Sequence, residues 1–380
     1  MEYQKTGKYF AQVAGNLEAH AMAELEGMGA VVTGLVPRGF RFSCDKADLY
    51  RIVYKARLVQ RILAPIFSYK CHSEKYLYNQ ALKSFDWTTL FGLEQSFNIE
   101  SNVSGSHVTH SLYAGQLLKD AICDRFREKY NKRPDFKLGE ADITLNLHLR
   151  DNWATISLDL TGVSMHKRGY RVSANLAPLQ ETLAAALVYL SGWKGDRVLL
   201  DPMCGSGTII AEALMSYCNI PAGFIRPDRG LGFMPDWDAM LYSQIKTRAD
   251  SEIIPLPQGL LCGSDYTSAS IDCARENLAK LPGGEAVDFK VSRFQNLPRQ
   301  SGRVIITNPP YGIRLGNEDS TKLLYNELGD FLKTKCPDSE AYILCGSKEL
   351  VTELRLRAHW KKSLKNADLE VKLAKIIVKG

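Results

Sequence analysis

At 380 residues, with 45% hydrophobic and 24% charged content, the chain has the composition of a folded globular protein and length for two or three domains. The net charge of +6 comes without a basic tail, so any nucleic-acid binding has to come from local patches. No signal pattern and no run of about 18 apolar residues is present, which argues against a membrane span and for the cytoplasm. The nine cysteines form no Cys-x-x-Cys pair, which argues against a disulfide framework and against a metal site.

The N-terminal stretch alternates short strands with amphipathic helices. Tyr9–Val13 predicts a strand, and Leu17–Met28, closed by Gly29, predicts a helix with Asn16 as a candidate cap. Strands follow over 30–33 and 39–43, joined by a turn at Pro37. A second helix, capped by Asp45, is expected from about 47 to 63. The order β-α-β-β-α is that of a ferredoxin-like unit, assigned to residues 1–50. A second α+β region is assigned to 51–165. There, 95–100 alternates like an exposed strand, 112–130 predicts a long helix, and 143–149 with 154–160 predict a hairpin turning at Asp151-Asn152. The helix end Arg125–Arg133 is basic and aromatic, which suits either RNA or plain solvation.

His166-Lys-Arg-Gly-Tyr-Arg171 opens the last region, 166–380. Lys167, Arg168 and Arg171 around one tyrosine suit contact with phosphates and a stacked base, or a charged linker. A helix over 179–193 comes next. Then a short β-branched strand ends in Asp201-Pro-Met-Cys-Gly-Ser-Gly-Thr208, followed by the helical run from Ile209. The loop lacks the lysine of a phosphate cradle and the third glycine of a dinucleotide fingerprint. An acid at its head repels pyrophosphate and suits a cationic adenosyl ligand; the alternative is an ordinary strand-to-helix turn. Residues 219–258 read as an insertion with a helix over 237–249. The second strand, 259–265, ends in Asp265, placed to accept the hydroxyls of a ribose.

A further buried strand ends in Asn308-Pro309-Pro310-Tyr311. The prolines stiffen the turn and remove two amide donors. The Asn308 side-chain carbonyl and the Pro309 carbonyl are adjacent acceptors that suit a planar amine, and Tyr311 offers a face for a base. A helix over 317–335, a strand over 340–345, a helix over 348–356 and a hairpin of 360–364 with 369–378 complete the alternation.

Together, Asp-Pro-Met-Cys-Gly-Ser-Gly-Thr, Asn-Pro-Pro-Tyr-Gly, Asp159-Leu-Thr-Gly162, His166–Arg171 and Ala177-Pro-Leu-Gln-Glu-Thr-Leu-Ala-Ala-Ala186 resemble the THUMP-containing class I rRNA guanine-N2 methyltransferases in their stand-alone form. The resemblance implies an α/β protein: an N-terminal α+β part, ferredoxin-like plus THUMP (51–165, binding RNA), then a Rossmann-like seven-stranded methyltransferase domain whose last strand is antiparallel. It implies S-adenosyl-L-methionine as cofactor, held by Asp201, Met203, Gly205, Ser206, Gly207, Thr208, Asp265 and Phe294, with Pro178, Glu181 and Thr182 near its tail. It implies Asn308, Pro309, Pro310 and Tyr311 as the catalytic motif, and Lys167, Arg168, Arg171 and Arg314 as RNA contacts. The expected partner is 23S rRNA or a large-subunit precursor, with neither membrane nor metal. The chain departs from the family at Arg293, where an acid usually receives the adenine amine, and at Ile313, usually a glutamate. Gln295 or a backbone carbonyl is the expected substitute for the first. Adenine-N6 methylation and a catalytically inactive RNA-binding assembly factor are the rival readings.

Overall fold

The structure is a computed structural model and describes residues 1–139, 141–172, 179–227, 229–311, 318–366 and 369–380. The chain divides into two compact units that interleave in sequence. The first takes Met1–Val13, Ala21–Met165 and Pro227–Lys246; the second takes Ala14–His20, His166–Arg226 and Thr247–Gly380.

The first unit runs α1 (Glu2–Thr6), β1 (Lys8–Val13), α2 (Glu18–Glu26), β2 (Val31–Val36), β3 (Gly39–Ser43), α3 (Lys46–Lys55) and β4 (Val59–Lys70). The strands lie in the order β2-β3-β1-β4 with antiparallel neighbours, which completes a ferredoxin-like βαββαβ unit. Asp45 caps α3 by accepting the Asp48 N–H at 2.7 Å, as its place in the sequence predicts. The helix expected over 47–63 stops at Ala56 and gives way to β4. Val59, Ile62 and Ile66 favour extended backbone, and Pro65 forbids a helix interior.

The same sheet continues through α4 (Glu74–Lys83), β5 (Phe97–Ser104), α5 (Ser111–Tyr130), β6 (Ile143–Arg150) and β7 (Trp153–Asp159). Because β4 pairs with β1 on one side and β7 on the other, residues 1–50 and 51–165 form one unit rather than two. The segment Pro227–Lys246 also belongs here and not to the C-terminal unit. Asp236 accepts from the Tyr3 hydroxyl at 3.1 Å, its carbonyl accepts from Lys46 at 2.7 Å, and the Asp238 N–H donates to the Tyr50 hydroxyl at 2.9 Å. The Trp237 ring lies 5.0 Å from that of Tyr50. Burying these aromatics is the driving force that draws the segment in.

The second unit holds α6 (Glu181–Ser191), β8 (Leu199–Asp201), α7 (Thr208–Tyr217), the end of α8 (Ala239–Ser251), β9 (Leu261–Asp265), α9 (Ser268–Leu278), β10 (Asp288–Val291), β11 (Val304–Thr307), α10 (Glu318–Lys335), β12 (Glu340–Cys345), α11 (Lys348–Glu353), β13 (Ala358–Asn366) and β14 (Leu369–Ile377). Its sheet has the order β10-β9-β8-β11-β12-β14-β13; the first five strands are parallel and β14 is antiparallel to both neighbours. Leu200, Ile305 and Ile343 of the strands pack with Leu328, Phe331 and Leu332 of α10 in its core. From β8 the chain order runs outward in one direction through β9 and β10, and in the other through β11 and β12. That reversal opens a crevice at the carboxyl ends of β8 and β11, the place where open α/β sheets bind ligands.

Candidate active site

Both sequence motifs that carry chemistry lie at this crevice. Asp201 ends β8, and Ile305 of β11 pairs with Leu200, so Asn308 emerges beside the glycine loop. The loop needs its glycines. Gly205 and Gly207 have φ of +52° and +79°, and a Cβ on Gly207 would stand 3.0 Å from Ala274 and Leu278 of α9. Asn277 of α9 fixes the loop by donating to the Ser206 carbonyl at 3.0 Å, and it accepts the Val172 N–H at 2.8 Å. Sequence reasoning missed Asn277; a polar residue on the inward face of an otherwise apolar helix was the available signal.

Two carboxylates stand at adjacent strand ends. Asp201, 1% exposed, accepts the Met203 N–H at 3.1 Å. Burial pushes its carboxyl up to about 7; hydrogen bonds from Thr307 and Met203 oppose this, and the neighbouring Asp265 charge adds to it. Asp265 accepts from the Gly205 N–H and the Thr267 N–H, each at 3.1 Å. Next to it Tyr266 is 69% exposed, a free ring at the strand end that the sequence reading passed over. Phe294, by contrast, is 4% exposed and packs edge-on against Phe331, so it belongs to the core and presents no open face to a purine. Gln295 is turned to α10, donating to Glu327 at 2.6 Å, which leaves Tyr266 as the better aromatic candidate and gives Arg293 no acidic substitute in Gln295.

The basic cluster at 166–171 divides in three. Lys167 is exposed. Arg168 is fully buried and pairs with Glu212 of α7 at 3.2 Å, while the Tyr170 hydroxyl donates to the same carboxylate at 3.3 Å. An RNA contact by Arg168 is therefore corrected: its guanidinium has no access to a phosphate. Arg171 points inward as well, donating to the Thr208 hydroxyl and the Leu179 carbonyl, each at 3.1 Å, with Glu181 at 3.4 Å. It orders the loop's helix start and is not a solvent-facing cation. Glu181 is held above the usual carboxylate range by burial, which Arg171 opposes. Thr182 is buried with its hydroxyl unpartnered among the described residues, a polar group left for a ligand. Pro178 and Arg314, like Ile313, lie outside the described residues.

At the second motif, the Tyr311 hydroxyl donates to Asn308 Oδ1. Its ring lies against Gly346, where an added Cβ would meet the Tyr311 Cβ and Cγ at 2.7 Å. Burial pushes its phenol well up, so it stays neutral and a hydrogen-bond donor. Among the described residues no three His, Cys, Asp or Glu side chains converge as a metal site, and no helix is long and apolar enough to cross a membrane.

A glycine loop headed by a buried acid, an acid at the next strand end and an amine-binding acceptor pair one strand away fit S-adenosylmethionine and an exocyclic amine. Comparison with known proteins agrees. The RMKL-like methyltransferase domain matches residues 168–375 and the THUMP domain residues 71–159. A protein of Synechocystis sp. named as an RNA methyltransferase, slr0064, is 35% identical over 371 residues, 97% of this chain and 96% of its own. The ribosomal RNA large subunit methyltransferase K/L of Syntrophotalea carbinolica is 35% identical over 381 residues, 96% of this chain and 53% of its own, so the chain spans about half the length of that relative. The solved structure of SMU.472, crystallised with SAH, has a TM-score of 0.85 at 25% identity and covers 98% of each chain. The chain belongs to the THUMP-bearing RMKL-like methyltransferases, enzymes dependent on S-adenosylmethionine.

Proposed function

We propose that the protein methylates the exocyclic 2-amino group of a guanine in 23S rRNA, in the cytoplasm. The observation that carries the reading is Asn308-Pro309-Pro310-Tyr311 beside the glycine loop, in a chain that also holds a THUMP domain. The relative named for the ribosomal large subunit supports rRNA as the substrate.

When bound, S-adenosylmethionine supplies a methyl group on a cationic sulfur. Asn308 Oδ1 and the Pro309 carbonyl accept the two amine protons, which fixes the amine and raises electron density on its nitrogen. Tyr311 stacks on the base, which has to leave its helix to reach the crevice. The main catalytic contribution is proximity and orientation. Asp201, Glu181, Thr182 and the glycine loop hold the cofactor, and Lys167 contacts the RNA backbone.

Nucleoside mass spectrometry of rRNA incubated with the protein and labelled cofactor tests the assignment. Label is expected in N2-methylguanosine. Label in N6-methyladenosine would move the assignment to adenine, and cofactor binding with no label in any rRNA would favour a non-catalytic assembly role.

The carboxyl of Asp201 adds a pH dependence. With its pKa raised to about 7 in the free protein, it is largely protonated in mildly acidic solution. A cationic cofactor favours the ionised form and so lowers that pKa. Binding then releases a proton below neutrality, and affinity rises with pH from about 6 to about 8 before levelling. Calorimetry in buffers of different ionisation enthalpy should show this release at low pH and none at high pH. Asp201→Asn should weaken binding and flatten the profile.

A further inference from the structure

Tyr311 occupies the very acceptor that the target amine needs. Its hydroxyl donates to Asn308 Oδ1, so a base that takes this oxygen displaces the phenol proton from its partner. The ring cannot simply swing back, because its Cβ and Cγ are seated on the Gly346 backbone, with no room for even one added carbon. A displaced hydroxyl in a largely buried place is costly unless another acceptor receives it.

The side chain within reach is Asn366. It closes β13, where it pairs with Leu369 across the hairpin, and its amide faces the Tyr311 hydroxyl. An amide offers a carbonyl oxygen as well as N–H donors, so it can accept the phenol proton once Asn308 is taken. Tyr325 of α10 also adjoins Tyr311, but its own phenol is a donor that adds no strong acceptor for a displaced proton. The hairpin thus meets the catalytic motif at its chain-reversing end.

We infer that Asn366 is a positioning residue for methyl transfer, receiving the Tyr311 hydroxyl when the target amine takes Asn308 Oδ1. The exchange keeps every polar group paired as the base enters, and it leaves the Tyr311 ring in place for stacking. The inference rests on the amine-methylating reading above. It goes further in naming a residue outside both motifs, on the last hairpin of the sheet.

The test is a double-mutant cycle with the RNA that the wild-type protein methylates. Asn366→Ala should raise the KM for RNA about tenfold, with kcat changed less than about threefold and cofactor affinity unchanged. In a Tyr311→Phe background, which has no hydroxyl to receive, the same substitution should change KM less than about twofold. Asn366→Asp keeps an acceptor of the same shape and should hold KM within about threefold of wild type, which also guards against a fold defect in the alanine variant. Equal losses from Asn366→Ala in both backgrounds, or a wild-type KM for the single variant, would overturn the role. Failure of the wild-type protein to methylate any RNA would instead overturn the functional reading.

Discussion

Asn308→Ala should lower kcat for methyl transfer by about 10²–10³-fold while leaving cofactor affinity within about twofold. The exocyclic amine of a base is a weak nucleophile, because its lone pair is conjugated with the ring. Two acceptors aligned on its protons orient it toward the methyl group and enrich the nitrogen. Alanine leaves only the Pro309 carbonyl, and the Tyr311 hydroxyl loses its present partner. Cofactor binding depends instead on the glycine loop and the two strand-end acids, which the substitution does not touch. Single-turnover transfer from labelled cofactor, with calorimetric titration of S-adenosylhomocysteine, separates the two effects. A kcat within threefold of wild type would remove Asn308 from the role of aligning acceptor. Asn308→Asp keeps the acceptor oxygens and should retain more activity than the alanine variant.

Glu212→Ala should destabilise the protein by about 3–5 kcal/mol, lowering the melting temperature by roughly 10 °C. Arg168 and Glu212 both have side chains at 0% exposure. Desolvation pulls the Arg168 pKa down, and the Glu212 carboxylate more than restores it. Without that carboxylate the guanidinium stays buried with its charge uncompensated by Glu212, and the Tyr170 hydroxyl loses an acceptor. Arg168→Met combined with Glu212→Leu should recover most of the loss, because replacing both members of a buried pair avoids the stranded charge. A melting curve of Glu212→Ala that overlays the wild type would show that the pair adds nothing to stability.

The second unit was readable in the sequence because its signals are local. Short β-branched runs ending in Asp201, Asp265 and Asn308 mark the carboxyl ends of parallel strands, and the glycines of the first loop follow from backbone geometry. What was not readable depends on tertiary packing. Val59–Leu63 resembles the end of a helix until β1 and β7 are present to pair with it. Arg168 and Arg171 read as surface cations because sequence shows charge but not the carboxylate that will face it; Glu212 lies 44 residues beyond Arg168. Phe294 stands at a cofactor-like position in the chain, yet its ring turns to Phe331. Tyr266, Asn277, Gly346 and Asn366 carry no motif of their own, and each gains meaning only from its neighbour in space.

The interleaving of the two units sets a constraint on synthesis. As the chain leaves the ribosome, the N-terminal sheet has all seven strands once residue 159 has emerged. Its partners for Tyr3, Lys46 and Tyr50, at Asp236–Asp238, are still untranslated. The N-terminal unit is finished only after the glycine loop and its helix have been made, so the two halves mature in overlap rather than in succession. A fragment ending at residue 165 would expose the aromatic surface that Trp237 and Tyr242 cover, and would be prone to aggregate. Dissection of this protein at the family boundaries therefore cuts through a folding unit, and a fragment that keeps the N-terminal unit whole has to carry the segment through Lys246 with it.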